Sequence, residues 1–171
     1  MSIGQRWGNS ALALPATPIP ISSPAPRPPD GPFVILAQRP DQVFILPLNS
    51  LHGSGERIFL TLVTVNIDPP SPRPPSVDDL LEVVENDYEV EIDCREKSIR
   101  WISGVQIDAA DRVTAVEVPE DKKKSQPLSN RFPPFAALNK LACEKLDFSK
   151  FSEPNLREAV RALRVGSSSG P

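Results

Sequence analysis

Two cysteines, Cys94 and Cys143, are the residues of this chain whose type and position could do distinctive chemistry. Two thiols can form one intramolecular disulfide, or they can stay reduced as unrelated buried side chains in a cytosolic protein. A structural zinc site needs four ligands, and one distant histidine without a second cysteine pair does not complete that set. The sequence therefore leaves a disulfide and two reduced thiols open, and it predicts no metal ion and no other cofactor.

Catalytic patterns are weak in this sequence. His52 is the only histidine, and together with Ser50 it is too little to define a nucleophile and its base. The chain lacks a Gly-x-Ser-x-Gly elbow and a glycine-rich phosphate loop. Four nearby carboxylates are interpreted as the solvated side of a short acidic segment: Asp78, Asp79, Glu82 and Glu85. We therefore predict that the protein is not an enzyme.

Composition limits the partners and the size of the folded region. The 171 residues carry a formal net charge of −3, so neither nucleic acid nor an anionic membrane is an obvious partner. Eight of the 21 prolines fall in the first 32 residues, and five fall between residues 69 and 75. Proline cannot donate to a sheet ladder or sit inside a helix. We therefore predict a disordered Pro-rich leader at residues 1–32 and a Pro-rich insertion at residues 69–76.

The elements that must position the cysteines are mainly strands. Residues 88–94 alternate, with Tyr88, Val90, Ile92 and Cys94 on one face and acidic residues on the other, which is the period of a half-buried strand. Apolar, β-branched runs predict the other strands. These lie at 33–36, 42–46, 57–67, 98–102 and 113–118. A hairpin turn is predicted at 49–56, a helical turn at 77–84, and a polar loop with a solvated lysine run at 119–132.

Two helices are predicted in the C-terminal part. Pro133 and Pro134 open the first, which should extend to about residue 146. Its apolar stripe is Phe135, Leu138, Ala142 and Leu146. The second should begin at Pro154, with Leu156, Val160 and Leu163 as its stripe. The fold class is therefore α+β, a mainly antiparallel sheet with a C-terminal helix packed on it. Such packing could bring Cys94 and Cys143 to the Cα separation of about 5–6 Å that a disulfide requires.

Taken in order, these segments resemble the surface-adhesin protein E family of bacterial envelope proteins. The residues that carry the resemblance are 43–56, 88–94, 99–102 and 130–143. The resemblance covers about residues 33–146 and implies a β-rich domain whose closing helix is held to the sheet by a disulfide between Cys94 and Cys143. Residues 147–171 are then a C-terminal helical extension and tail. The family's adhesins bind host matrix proteins.

The resemblance implies a non-catalytic binding module of the cell envelope or the secreted fraction. Its expected partner is a protein, with a second copy of the chain left open, and no transmembrane segment is predicted because no apolar run is long enough. The alternative is a structural or assembly subunit of a larger complex. Periplasmic, outer-surface or secreted localisation is expected, while a cytoplasmic location stays open because the sequence shows no clear signal peptide.

Overall fold

A computed structural model describes residues 30–67, 82–129 and 131–166, and within these ranges the chain is an antiparallel sheet with helices on both sides. The strands are β1 Phe33–Gln38, β2 Gln42–Pro47, β3 His52–Ser54, β4 Arg57–Asn66, β5 Val83–Asp93, β6 Ser98–Asp108, β7 Val113–Val116 and β8 Gln126–Pro127. The helices are α1 Glu120–Lys123, α2 Pro133–Leu138 and α3 Leu156–Gly166, and α2 continues as a π-helical turn, Asn139–Cys143. Short 3-10 turns lie at Leu48–Ser50 and Ser149–Phe151. The predicted α+β class is confirmed.

The strand order across the sheet is β1-β2-β4-β5-β6-β7, with every pair antiparallel. β3 pairs with the start of β4, and β8 pairs with the start of β6. A bulge interrupts β6, because Trp101 faces Val90 while Ser103 faces Glu89, which leaves Ile102 as the extra residue. Beyond the bulge, a methyl group on Gly104 would lie within 2.8 Å of the Tyr88 ring, so only glycine lets this ring lie flat on β6.

The sheet has a separate apolar core on each face. The first face carries Leu60, Val90, Ile92 and Ile99, which pack against α2 and the π turn; because Cys94 lies on it, we call it the disulfide face. The opposite face carries Val43, Ile45, Val63 and Val65, which pack against Leu156 and Val160 of α3. We call this second face the charged face. Its charged residues include Arg57, Glu85, Asp87, Glu89, Glu91, Asp93 and Arg100.

The predicted strands are confirmed, and their boundaries differ most in β5 and β6. The predicted helical turn at 77–84 is wrong at its end, because Val83 and Val84 already belong to β5; residues 77–81 lie outside the described residues. β5 extends beyond the alternating residues 88–94, because it pairs with β4 and with β6 as far back as Glu85 and Val83. The strand predicted at 98–102 continues to Asp108, past the bulge. The loop predicted at 119–132 contains α1 and β8.

The first predicted helix is shorter than expected. It ends at Cys143, and Leu146 is 51% exposed rather than part of the buried stripe. Leu141 is buried beside Leu138 and Ala142, and the three residues have the i, i+3 and i+4 spacing of one helix face. The second helix begins at Leu156, two residues after Pro154, and its predicted stripe packs on the sheet.

Two predictions concern segments at the edges of the described ranges. Residues 1–29 of the predicted leader and the predicted insertion at 69–76 lie outside the described residues. Residues 30–32 are described, and they bond to the fold: Gly31 accepts the Leu156 N–H at 3.2 Å and Pro32 accepts the Leu48 N–H at 2.9 Å. Within the described ranges, no helix combines the length and the apolar character needed to cross a membrane.

Candidate functional site: a disulfide and a polar cleft on opposite faces

The predicted disulfide between Cys94 and Cys143 is present. The two Cα atoms are 5.2 Å apart, and the bond joins residues separated by 49 positions. Cys94 follows the last residue of β5, and Cys143 ends the π turn that follows α2. Both side chains are half-buried against the core of the disulfide face. Neither cysteine is available as a nucleophile or a metal ligand in this state.

The local sequence explains how Cys143 reaches the sheet. Pro133 and Pro134 occupy the first turn of α2, where a missing N–H costs nothing. Leu138 is 0% exposed and anchors the helix on the sheet. The chain then leaves the helix through Lys145, which adopts a positive φ of 50°. α2 is only six residues long, so it depends on this packing and on the covalent bond for its position.

Ser50 and His52 act in the structure as parts of a turn. The Ser50 hydroxyl donates to the Pro47 carbonyl at 2.7 Å and accepts the Thr61 N–H at 3.0 Å, which fixes the 3-10 turn against β4. The exposed His52 ring donates from Nδ1 to the Ser50 carbonyl at 2.9 Å and stacks on Phe59, with ring centroids 5.4 Å apart. The imidazole therefore meets the backbone of Ser50 rather than its hydroxyl.

The interpretation of Glu85 as a solvated carboxylate is wrong. Its side chain is 0% exposed, because β5 begins earlier than predicted and places Glu85 under α3. Arg157 of α3 approaches it, with Nη1 3.5 Å from the Glu85 carboxylate. Glu82 is exposed as predicted, whereas Asp78 and Asp79 lie outside the described residues. The Glu85 carboxylate is therefore a structural charge at the interface between α3 and the sheet.

A row of acidic residues runs along the charged face. Every second residue of β5 from position 85 to 93 carries a carboxylate, and all five side chains share one face: Glu85, Asp87, Glu89, Glu91 and Asp93. α3 covers the end of this row that contains Glu85, and its Arg164 reaches the turn between β6 and β7. The end that contains Glu91 and Asp93 is not covered by α3.

A polar cleft of about 340 Å³ occupies that second end. We define it by its lining: Arg57, Glu91, Asp93, Ser98, Arg100, Lys123 and Ser125. The Arg100 Nε donates to Glu91 Oε2 at 3.0 Å, and Arg100 Nη2 donates to the same oxygen. Arg57 Nη1 lies 3.7 Å from Glu91 Oε1. The Glu91 side chain is only 7% exposed, so the two arginines compensate a largely buried carboxylate.

The lysine run lies at the edge of this cleft. Lys123 donates to Glu120 at 2.6 Å, and this hydrogen bond raises the pKa of the Lys123 ammonium, which therefore stays charged. Lys122 points away from the cleft, toward the disulfide face, and its Nζ lies 5.3 Å from the centre of the Trp101 ring. The run is exposed, as predicted, but it also supplies the third cation of the cleft.

The alternation of β5 is the sequence signal that could have indicated the cleft. It shows that Glu89, Glu91 and Asp93 share a face, but only the register brings Arg57 opposite Asp93 and Arg100 opposite Glu91. Among the described residues, no group of three or more histidine, cysteine, aspartate or glutamate side chains is arranged to hold a metal ion. Arginine side chains lie beside three members of the acidic row, Glu85, Glu91 and Asp93.

Comparisons with known protein families, with curated proteins and with solved structures find no match. The resemblance to the surface-adhesin protein E family stays a prediction from the sequence.

Proposed function

We propose that this chain is a non-catalytic protein-binding module of the cell envelope or the secreted fraction, similar to surface-adhesin protein E. Binding to a host or matrix protein is the activity that this resemblance suggests. The observation that carries the proposal is the uncovered end of the charged face. Its side chains combine two arginines, a stacked aromatic pair and several hydroxyl groups on rigid strands, which is the kind of surface that suits protein recognition.

The disulfide supports the compartment part of the proposal. Disulfides persist in oxidising compartments and are rare in the cytosol, where thiols are kept reduced. The bond closes a long loop between two distant elements, so it has a structural role in the fold. Such a bond would stabilise an exported module whose closing helix is short.

Site-specific photo-crosslinking in the native cells tests the binding surface. A photoreactive residue at Ser103, which is exposed on the uncovered end of the charged face, should give a cross-link to another protein. The matched control is the same residue at Arg161, which is exposed on α3. Equal labelling from both positions, or none from Ser103, would contradict the proposed binding face.

The compartment is tested separately by trapping the thiols directly in intact cells. We expect the chain in the exported fraction, with both cysteines protected from a thiol reagent under denaturing, non-reducing conditions. Two reactive thiols in a cytosolic fraction would overturn export.

A structural or assembly subunit is the second candidate function. Two exposed apolar side chains favour it, because Leu146 is 51% exposed and Phe151 is 70% exposed on the segment between α2 and α3. Apolar groups on one exposed segment are a frequent feature of subunit contacts. A photoreactive residue at Phe151 distinguishes the two functions: an assembly subunit should cross-link from Phe151, and the proposed binding module from Ser103.

A further inference from the structure

The arginines of the polar cleft keep hydrogen-bonding capacity that the protein does not use. Arg57 is 66% exposed, and its contacts of 3.7 Å to Glu91 and 4.0 Å to Asp93 are too long for hydrogen bonds. Arg100 directs Nε and Nη2 to Glu91, while its Nη1 has no acceptor among the described residues. Several N–H donors of two guanidinium groups therefore face the water of the cleft.

The carboxylates of the cleft, in contrast, have structural partners. Glu91 Oε2 accepts both hydrogen bonds from Arg100, and Glu91 Oε1 lies 3.7 Å from Arg57, within ion-pair distance. Asp93 uses Oδ1 to accept the backbone N–H groups of Arg95 and Glu96, each at 3.0 Å, which fixes the turn after β5. These acidic groups hold the arginines and the turn in place. The donors that remain point into the cleft as a preformed site for a further acceptor.

The charges around the cleft limit the kind of acceptor. Arg57 and Arg100 face Glu91 and Asp93, and Lys123 is paired with Glu120, so these charges are balanced. The whole chain has a net charge of −3, and Glu89 continues the acidic row beside the cleft. A polyanion such as nucleic acid would meet these carboxylates and be repelled. A single monoanionic group, bound by the arginine donors, would not extend along this acidic row and would avoid that repulsion.

We propose that the polar cleft binds one carboxylate group, presented by an acidic side chain on an exposed segment of the protein partner. The planar guanidinium fork matches a carboxylate in a bidentate geometry, and Arg100 already directs two of its N–H groups to the carboxylate of Glu91. The volume of about 340 Å³ is sufficient for one such side chain and its neighbours. This inference rests on the proposed binding function and identifies what its site recognises.

The test is an NMR titration of the full chain with a blocked tripeptide that contains a central glutamate. We expect saturable shifts of the backbone amides around the cleft, at the start of β4, in the turn at residues 95–97 and at Lys123 and Ser125. The same tripeptide with glutamine is the isosteric control and should give no saturable shift. Equal shifts with both peptides, or shifts spread over the molecule, would overturn the proposal.

Arg57→Gln tests the site with little risk to the fold, because Arg57 is exposed and makes only long contacts. We expect the affinity for the glutamate peptide to fall about tenfold, the usual loss for one charge-assisted hydrogen bond. The matched control is Arg39→Gln, since Arg39 is 58% exposed and lies at the opposite end of the sheet. Arg57→Lys should recover only part of the affinity, because it keeps the charge and loses the fork.

Three further outcomes have distinct meanings. If Arg57→Gln and Arg39→Gln weaken binding equally, the cleft is not the site and the proposal fails. If inorganic phosphate binds the cleft at least as tightly as the glutamate peptide, the cleft is an oxyanion site and the carboxylate assignment is wrong. If cross-linking from Ser103 succeeds and the peptide does not bind, the binding function stands and only its carboxylate chemistry is refuted.

Discussion

The two faces of the sheet are closed in different ways. On the disulfide face, a six-residue helix and a π turn cover the core, and a covalent bond ties their end to β5. On the charged face, the eleven-residue α3 packs by its own apolar stripe and leaves the far end of the sheet uncovered. A short helix gains little from its own hydrogen bonds, whereas a three-turn amphipathic helix can be held by burial alone. The cross-link therefore holds the shorter helix, which gains less from its own hydrogen bonds.

The two faces also differ in their roles: the disulfide face stabilises the fold, and the uncovered end of the charged face is the surface that we propose for recognition. The disulfide face carries buried aliphatic side chains, while the uncovered end of the charged face carries charges that compensate one another on rigid strands. Because the disulfide is on the opposite face from the polar cleft, the fold can be stabilised without filling the cleft. The following experiments test this division, beginning with the largest expected effect.

Removal of the disulfide should cause the largest loss of stability. Cys94→Ser and Cys143→Ser should each lower the free energy of unfolding by about 4 kcal/mol, the chain-entropy value for a loop of this length. The double substitution should add little to either single one, because one bond is lost in all three variants. Urea unfolding of the three variants measures this. Losses that add in the double variant would show that the two thiols contribute independently.

Truncation of a buried leucine should lower the free energy of unfolding by about the same amount in the two apolar cores. Leu138→Ala on the disulfide face and Leu156→Ala on the charged face remove side chains that are 0% and 1% exposed, so each should cost about 3 kcal/mol. Leu146→Ala is the control, since this leucine is 51% exposed and its loss should cost less than about 0.5 kcal/mol. Hydrogen exchange should accelerate in α3 of Leu156→Ala while α2 stays protected. Equal acceleration in both helices would mean that the faces do not open separately.

The sequence predicts the main elements of the disulfide face. The alternation through Val90, Ile92 and Cys94 reports a strand with one buried side, and Pro133 marks the start of the helix that carries the second cysteine. Both signals are local, so they could be detected without tertiary contacts. The helix end was predicted wrongly, because a π turn is decided by packing rather than by propensity.

The charged face could be predicted only in part. An acidic residue at every second position is typical of a solvated strand face, and this is why Glu85 was expected in water. Its burial depends on α3, which lies about 70 positions further along the chain and supplies Arg157. The cleft likewise depends on the register that brings Arg57 and Arg100 beside Glu91. Long-range pairing of this kind leaves no local pattern.

The contact between Arg157 and Glu85 should matter more than any exposed charge on α3. Arg157→Met keeps the aliphatic stem and removes the charge beside a carboxylate that is 0% exposed, so we expect a loss of about 2 kcal/mol. That value lies below the usual cost for a fully buried pair, because the Arg157 side chain is 21% exposed. Arg161→Met on the exposed side of α3 is the control. Equal losses would assign the effect to helix charge, and combining Arg157→Met with Glu85→Gln should restore part of the stability.

Tyr88 should give the smallest effect, and one that belongs to the disulfide face alone. Burial raises the pKa of its phenol above the usual value near 10, so the neutral form is favoured in the folded chain. The unfolded chain then loses this proton first as the pH rises. The contribution is therefore complete below about pH 10, and it is lost as the pH rises through the folded-state pKa. Tyr88 is the only tyrosine, so tyrosinate absorbance reports its titration directly.

Tyr88→Phe separates this contribution from the titration of the lysines. Stability measured by urea unfolding should fall more steeply with pH in the native chain than in Tyr88→Phe above about pH 10, while the difference between the two should be constant at lower pH. Parallel curves throughout would show that the phenol hydroxyl is solvated in the folded chain. The peptide affinity of the cleft should be equal in both proteins near neutral pH, because Tyr88 lies on the opposite face of β5 from Glu91.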